Sequence, residues 1–157
     1  MAAPHDATTE QALMWRDLLH GWGYQSKIVA EYVHPELTGS VRRLDRAGRR
    51  LVKTGRVILH YTVWSGAAEA VLRTEWPIGL CYHNITPGHL LRDFNPNLAA
   101  LCDRGRDALP RFRGRVVSLI ADSSFNAVDL RHAGLGDATV VPLLFELPTA
   151  VPRREPN

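Results

Sequence analysis

The stretch from Leu80 to His89 brings together residue types that can do chemistry. It reads Leu-Cys-Tyr-His-Asn-Ile-Thr-Pro-Gly-His, a short apolar run that ends in a His-Asn pair and a Thr-Pro-Gly break. A buried parallel strand has this pattern when its carboxyl end delivers polar side chains to a crevice. A neutral imidazole at position 83 can donate to or accept from a ligand hydroxyl. The simpler interpretation is that His83 and Asn84 only cap the turn before Pro87.

Two further segments follow the same order, with the apolar part first and the polar group last. Residues 56–63 carry His60 close to the end of an apolar run, and residues 116–124 end in Asp122, Ser123 and Ser124. Ligands bind beyond the carboxyl ends of parallel strands. We therefore expect these polar side chains to lie along one edge of an α/β sheet.

Each of these polar groups also has an ordinary structural interpretation. Free N–H groups at a helix start, as at Ser65-Gly66, attract anionic or hydroxyl ligands, but Ser65 and Ser123 can equally be plain helix caps. Asp122 can accept a ligand hydroxyl or satisfy the turn. The loop beyond Pro87, with His89, is placed to form a wall of the pocket.

Several classes of site do not fit the sequence. Cys81, His83 and His89 lack the spacing of a tetrahedral zinc site, so we expect no metal and no cofactor. The sequence has no nucleophile elbow and no Walker loop, which argues against serine hydrolases and P-loop nucleotidases.

Composition predicts one globular domain. The chain has 157 residues, of which 45% are hydrophobic and 22% charged, enough to bury a core. With only two cysteines and no basic, apolar leader at its start, it fits a cytoplasmic protein without a disulfide framework. No apolar run reaches the ~20 residues of a membrane helix.

A basic segment lies before the strand that carries His60. Of the 19 basic residues, seven fall here: Arg42, Arg43, Arg46, Arg49, Arg50, Lys53 and Arg56. They could contact phosphates or acidic lipid head groups, so peripheral membrane contact is a second expected location. A solvated, poorly ordered connection explains them more simply. Without interleaved aromatic residues, a nucleic-acid partner is not expected.

Strand and helix signals alternate along the chain. A capping box at Thr8–Gln11 predicts a helix that ends near Gly21, and helix starts follow at Ser65, at Asn95-Pro96 and at Ser123. Strands are predicted at 26–33, 56–63, 79–84, 116–121 and 139–145, with a short edge strand near Val41 and one helical turn in the basic segment. This alternation predicts an α/β fold with a mostly parallel sheet and helices on both faces.

The order and spacing of these elements resemble a known family, the retaining GT-B glycosyltransferases (group 1, of the glycogen-phosphorylase-like superfamily). The resemblance is to their N-terminal half and runs from about Asp6 to Pro148. It is carried by His60-Tyr-Thr, Tyr82-His-Asn-Ile-Thr-Pro87, Cys102-Asp-Arg-Gly-Arg106, Ala121-Asp-Ser-Ser-Phe-Asn126 and Val140-Val-Pro142.

Such enzymes have two Rossmann-like domains that face a cleft, and the resemblance implies that this chain is the acceptor-binding one, over residues 1–147. It places the histidine at Tyr82-His83-Asn84 near the transferred sugar, so His83 is the expected catalytic residue. The expected acceptor- or sugar-binding residues are His60, Ser65, Gly66, Asn84, Thr86, His89, Asp122 and Ser123.

Two departures from the family affect the expected function. The Pro-rich residues 148–157 stand in the place of the interdomain linker, and the chain stops where the nucleotide-sugar domain would begin. The family's first strand is missing as well. We therefore expect strands 26–33 and 56–63 to pair directly or to receive a strand from a partner; a sixth, N-terminal strand between them would refute this.

Two functions remain open at this point. The first is the acceptor-binding half of a nucleotide-sugar-dependent retaining glycosyltransferase, inactive alone and completed by a separate C-terminal donor-binding domain. The alternative is a non-catalytic Rossmann-like binding or interaction domain derived from such an enzyme. The expected partners are a sugar or glycoconjugate acceptor, the separate donor domain, and a second copy of the chain in a homodimer.

Overall fold

The computed structural model describes residues 1–143, except for the side chains at positions 47 and 54. Strands and helices alternate along most of this length. In chain order they are α1 (Ala7–Gly21), β1 (Ile28–Ala30), β2 (Val41–Arg43), α2 (Arg46–Thr54), β3 (Val57–Tyr61), α3 (Gly66–Leu72), β4 (Ile78–Tyr82), α4 (Pro96–Ala108), β5 (Val116–Ala121), α5 (Ser124–His132) and β6 (Thr139–Val140). Short 3-10 segments lie at Pro35–Leu37, Gly88–Leu90 and Leu109–Phe112.

The main sheet is parallel, in the order β3-β4-β5-β6. Tyr61 pairs with Tyr82, and Tyr82 pairs with Ala121, so the carboxyl ends of β3, β4 and β5 lie level. The helices that follow these strands cover the sheet. The predicted α/β fold, a single Rossmann-like domain with a parallel sheet, is confirmed.

The first strand belongs to a separate sheet. β1 pairs in parallel with β2, and no described strand pairs with the outer edge of β3. Direct pairing of 26–33 with 56–63 is therefore wrong. A sixth strand does not separate them either, since the described N-terminus contributes only one parallel bridge, from Ala2 to Val33. The outer edge of β3 has no strand to pair with in residues 1–143.

Helix starts agree with their local signals in three of the predicted places. Ser65, Asn95 and Ser123 are the N-caps of α3, α4 and α5, as expected. At α1 the predicted capping box at Thr8 is wrong, because Asp6 is the N-cap. Its Oδ2 accepts from both the backbone N–H (2.9 Å) and the hydroxyl (2.7 Å) of Thr9.

The basic segment is more ordered than the sequence predicts. β2 confirms the short edge strand predicted near Val41. The nine-residue helix α2 lies where one helical turn in a poorly ordered connection was expected. Arg46, Arg49 and Arg50 are exposed along this helix. Their charges therefore face solvent, as the simpler interpretation required.

The core lies between one face of the main sheet and the helices α3, α4 and α5. Tyr61, Leu80 and Tyr82 are fully buried there, together with Ala68 of α3 and Leu130 of α5. The buried face of α4 is formed by Ala99, Cys102, Gly105 and Ala108. The two leucines of this helix, Leu98 and Leu101, are exposed instead. The small side chains on the buried face let α4 lie close to the backbone at Val63 and Trp64. The Tyr61 hydroxyl donates to the Gly105 carbonyl at 2.8 Å.

Two predictions fall wholly or partly on residues after position 143, which the structure does not describe. The strand predicted at 139–145 is seen as β6 up to Val140, and residues 144–145 lie outside the described residues. The tail 148–157 lies outside them as well. Within residues 1–143, none of the helices combines the length and the apolar character needed to cross a membrane.

The close contact at Gly105 leads to a stability prediction. A Cβ at this position would lie 3.0 Å from both Ile85 Cδ1 and the backbone nitrogen of Trp64. We expect Gly105→Ala to lower the free energy of unfolding by about 1–3 kcal/mol, because α4 must move away from the 63–64 backbone. Gly21→Ala is the matched helical control, since no atom lies within 4 Å of its Cβ; it should be neutral or stabilising by up to ~1 kcal/mol. Urea unfolding of the two variants measures both effects, and equal stabilities would contradict the packing account.

Candidate functional site

The parallel register brings four polar side chains to the face of the sheet opposite the main core. His60 is the register partner of Cys81, and His83 lies two residues beyond Cys81, so their side chains share a face. The His83 N–H donates to the Tyr61 carbonyl at 3.0 Å and extends the ladder by one residue. Asp122 follows the Tyr82–Ala121 pair in the same way. The strand ends therefore meet as the sequence predicted for His60, His83 and Asp122.

A chain of two hydrogen bonds joins these three residues. His83 Nδ1 lies 2.9 Å from Asp122 Oδ2, and His83 Nε2 lies 2.8 Å from His60 Nδ1. The two imidazole planes differ by 14° and their centroids are 5.1 Å apart. With a nitrogen–nitrogen distance of 2.8 Å, this long centroid distance means that the rings meet edge to edge rather than face to face.

The direction of each hydrogen bond follows from the carboxylate. A carboxylate only accepts, so His83 Nδ1 carries its proton and His83 Nε2 is left with a lone pair. That lone pair accepts from the Nδ1–H of a neutral His60. No described group pairs with Nε2 of His60, so this atom is the free acceptor at the end of the series of hydrogen bonds.

Burial keeps both imidazoles neutral. It lowers the pKa of His60 to about 3, with a smaller lowering from the neighbouring His83. The pKa of His83 is also lowered by burial, against the opposing charge and hydrogen bond of Asp122 and the charge of Asp6. Its side chain is only 4% exposed. At neutral pH the cluster therefore holds two neutral rings and one carboxylate.

Helix α1 packs against the cluster through Trp15. The ring of Trp15 meets His60 edge-on, with centroids 5.3 Å apart. Gln11, one turn earlier on the same helix, is fully buried, and both of its amide atoms lack a hydrogen-bond partner within the described residues. Asp122 Oδ1 is likewise buried and unpartnered there. Unpaired buried polar atoms cost ~1–3 kcal/mol each, so Asp122 Oδ1 marks a place in the cluster where a ligand would supply a partner.

Cys81 adds a thiol to this cluster. It is fully buried and free, and burial, with a smaller contribution from the charge of Asp122, raises its pKa to about 12. One donor atom from each of His60, Cys81 and His83 lies within 4.8 Å of the others. The sequence predicted no zinc site because Cys81, His83 and His89 lack the required spacing. The structure places His60, rather than His89, beside Cys81 and His83.

The helix starts are engaged by the protein's own groups. Ser65 Oγ accepts from the Ala68 N–H and Ser123 Oγ from the Asn126 N–H, each at 3.2 Å, as helix caps do. The Gly66 N–H donates to Glu31 Oε2 at 2.7 Å. Glu31 thus occupies the position at which the sequence predicted a ligand, a long-range contact that no local pattern signals.

The remaining predicted residues lie outside the hydrogen-bonded cluster. Asn84 is exposed and has a φ of +48°, a left-handed turn conformation that asparagine tolerates. Thr86 is half-buried in the following loop. His89 is exposed in the 3-10 segment, which is tied to α4 because Asp103 accepts from the Gly88 N–H at 2.9 Å.

A second buried polar network supports the loop after β4. Arg106 donates to both carboxylate oxygens of Asp129, at 2.8 and 3.0 Å, and to the Ile85 carbonyl at 2.8 Å. The Tyr82 hydroxyl also donates to Asp129. Arg106 therefore joins α4 to α5 and to the chain just beyond His83.

A surface concavity lies elsewhere, between α1 and the β1–β2 sheet. Arg16, His20, Lys27 and Arg42 are among its lining residues, and none of the histidine cluster is. It is open and polar, whereas the cluster is nearly closed. The chemistry of the two places is therefore separate.

Comparison of the chain with protein-family models, with curated proteins and with solved structures gives no match.

The buried imidazoles predict a pH-dependent stability. Above pH ~6.5 His60 is neutral in both states, and its contribution to stability is fully present. As pH falls below that value the unfolded chain binds a proton that the folded chain does not bind until about pH 3, so stability falls. We expect His60→Gln to lose about 2 kcal/mol less unfolding free energy than the wild type between pH 7.5 and 5.0.

Urea unfolding at the two pH values, in a buffer with a chelator, measures this difference. His89→Gln removes an exposed histidine and should behave as the wild type does. Equal losses in His60→Gln and in the wild type would mean that His60 is not held neutral in the folded chain.

Proposed function

We propose that this chain is the acceptor-binding half of a nucleotide-sugar-dependent retaining glycosyltransferase. One observation carries the proposal: the hydrogen-bonded chain His60–His83–Asp122 at the carboxyl edge of three adjacent parallel strands. Hydroxyl ligands are recognised by fixed, neutral donors and acceptors of this kind. The resemblance of the motifs around these residues to such enzymes supports the same function.

His60 is the residue that meets the ligand first. Its Nε2 is the one ring nitrogen of the pair with no partner among the described groups, whereas both nitrogens of His83 are engaged. A group with a pKa of about 3 is a weak base at neutral pH. His60 therefore accepts a hydrogen bond from a sugar hydroxyl and orients it, rather than removing its proton.

His83 and Asp122 hold that acceptor in place. Asp122 fixes the tautomer of His83, and His83 in turn fixes the tautomer of His60. His83, the expected catalytic residue, acts in this arrangement as a positioning residue. His83 can contact a sugar directly only when the His60 ring moves away from the Nε2 atom of His83.

A donor-binding domain must complete such an enzyme. Loss of a nucleotide diphosphate requires cations on its phosphates, and none of the described contacts of His60, His83 and Asp122 involves an arginine or lysine. A separate donor-binding domain would supply them. We therefore propose that the isolated chain binds acceptors without transferring sugar.

Exposed aromatic side chains favour a protein partner. Trp22, Tyr24 and Tyr32 are each more than 60% exposed near α1 and β1, and no described strand pairs with the outer edge of β3. The same surfaces support the alternative function, a non-catalytic binding domain that acts through association with another chain or a second copy. Peripheral contact with a membrane through α2 and a cytoplasmic location belong to this proposal as well.

Saturation-transfer NMR with methyl glycosides of glucose, galactose and mannose tests the acceptor-binding function on the purified chain. We expect at least one glycoside to bind, and His60→Gln and Asp122→Asn to weaken it by about three- to tenfold, the value of one neutral hydrogen bond. His132→Gln is the matched control, because His132 ends α5, away from the strand ends. It should bind as the wild type does.

The proposal fails if none of these glycosides binds, or if His60→Gln binds as well as the wild type. Turnover of a nucleotide-sugar by the isolated chain would contradict the need for a second domain.

A further inference from the structure

We propose that His60, Cys81 and His83 form a binding site for a soft divalent transition-metal ion of the zinc class. The ion would be held by Nδ1 of His60, Sγ of Cys81 and Nε2 of His83, whose donor atoms all lie within 4.8 Å of one another. This inference goes beyond the sugar-binding function and does not rest on it.

The two imidazole nitrogens are nearly as far apart as in a metal site, and the sulfur lies within 4.8 Å of both. Zinc bonds of ~2.0–2.1 Å to nitrogen and ~2.3 Å to sulfur in a tetrahedron put two nitrogens about 3.3 Å apart and nitrogen and sulfur about 3.6 Å apart. The nitrogens of His60 and His83 are 2.8 Å apart where they share a proton. Replacing that proton by a metal requires the nitrogens to separate by about half an ångström. Both rings must also tilt, because their lone pairs lie along the line between the nitrogens and must converge on an ion beside that line.

The scaffold is rigid. His60 and Cys81 are register partners on two adjacent parallel strands, and His83 follows Cys81 on the same face. Each donor thus sits on or directly after a strand rather than on a mobile loop. Ligand positions of this kind are the most sharply defined in a protein.

Asp122 supplies the second shell that such a site requires. Metal-bound histidines usually donate their other ring N–H to a carboxylate, which fixes the tautomer. Asp122 Oδ2 accepts from His83 Nδ1 at 2.9 Å and so leaves the Nε2 lone pair free of a proton and directed towards His60 Nδ1. Its charge also matters, since one thiolate and one carboxylate together balance a divalent ion.

Metal binding moves one proton within the site and releases another. On binding, the proton of His60 moves from Nδ1 to Nε2 of the same ring, and the Cys81 thiol releases its proton to solvent as the metal–sulfur bond forms. One proton is therefore released for each metal ion bound.

The donor set also sets the selectivity and coordination. One thiolate and two imidazoles favour Zn²⁺ or Co²⁺ over Mg²⁺ and Ca²⁺, which prefer oxygen ligands. Three protein ligands leave the fourth position to water or to a ligand oxygen. Asp122 Oδ1, buried without a partner among residues 1–143, is available to accept from a bound water.

Cobalt titration of the chelator-treated, reduced chain tests the site. We expect a near-ultraviolet thiolate-to-cobalt band and intense visible bands that saturate at one equivalent, with one proton released. Zn²⁺ should abolish these bands, and excess Mg²⁺ should not. The Cys81→Ser variant should lose the thiolate band, and Asp122→Asn should weaken binding by about ten- to a hundredfold.

The controls are the second buried cysteine and the exposed histidine of the loop. Cys102→Ser and His89→Gln should give the wild-type spectrum and affinity. The proposal is overturned if the wild-type chain shows no thiolate-to-cobalt band, if Cys81→Ser keeps it, or if Cys102→Ser removes it. The wild-type titration alone can refute the site, so the test does not depend on every variant folding.

Discussion

The parallel register of β3, β4 and β5 is the constraint on which both the core and the cluster depend. Tyr61, Tyr82 and Ala121 pair in one row and face the helices. His60 and Cys81, which alternate with these residues along the strands, face the opposite side of the sheet. His83 and Asp122, just beyond the strand ends, do so as well. A slip of one residue would reverse both sets, burying imidazoles in the core and exposing tyrosines. Burial of the tyrosine face therefore holds the histidines in their relative positions.

Two polar networks hold the strand ends in place, and each requires polar groups to be removed from water. On the core side, Arg106 and Asp129 form a partly buried pair that also binds the Ile85 carbonyl just beyond His83. On the other side, two imidazoles are desolvated so strongly that both stay neutral. A fold gains little stability from burying neutral histidines next to an unpaired carboxylate oxygen of Asp122. Groups of this kind cluster at functional sites.

Local signals in the sequence predict much of this arrangement and fail where distant segments meet. The caps at Ser65, Asn95 and Ser123 and the strands around His60 and His83 follow from short-range propensities and turn chemistry. The meeting of His60, His83 and Asp122 follows from parallel strands alone. No such rule signals that β1 pairs with β2, that Glu31 binds the Gly66 N–H, or that His60 stands beside Cys81. These contacts depend on register and packing between segments.

The two proposed uses of the cluster are coupled through a single proton on His60. In the hydrogen-bonded chain, Nδ1 of His60 donates to His83 and its Nε2 is an acceptor. With a metal on Nδ1, the proton must sit on Nε2, which becomes a donor. The same ring thus presents opposite hydrogen-bonding character to a ligand in the two states. A hydroxyl can both donate and accept, so it can bind to either state, whereas a group that only accepts can bind only to the metal-loaded one.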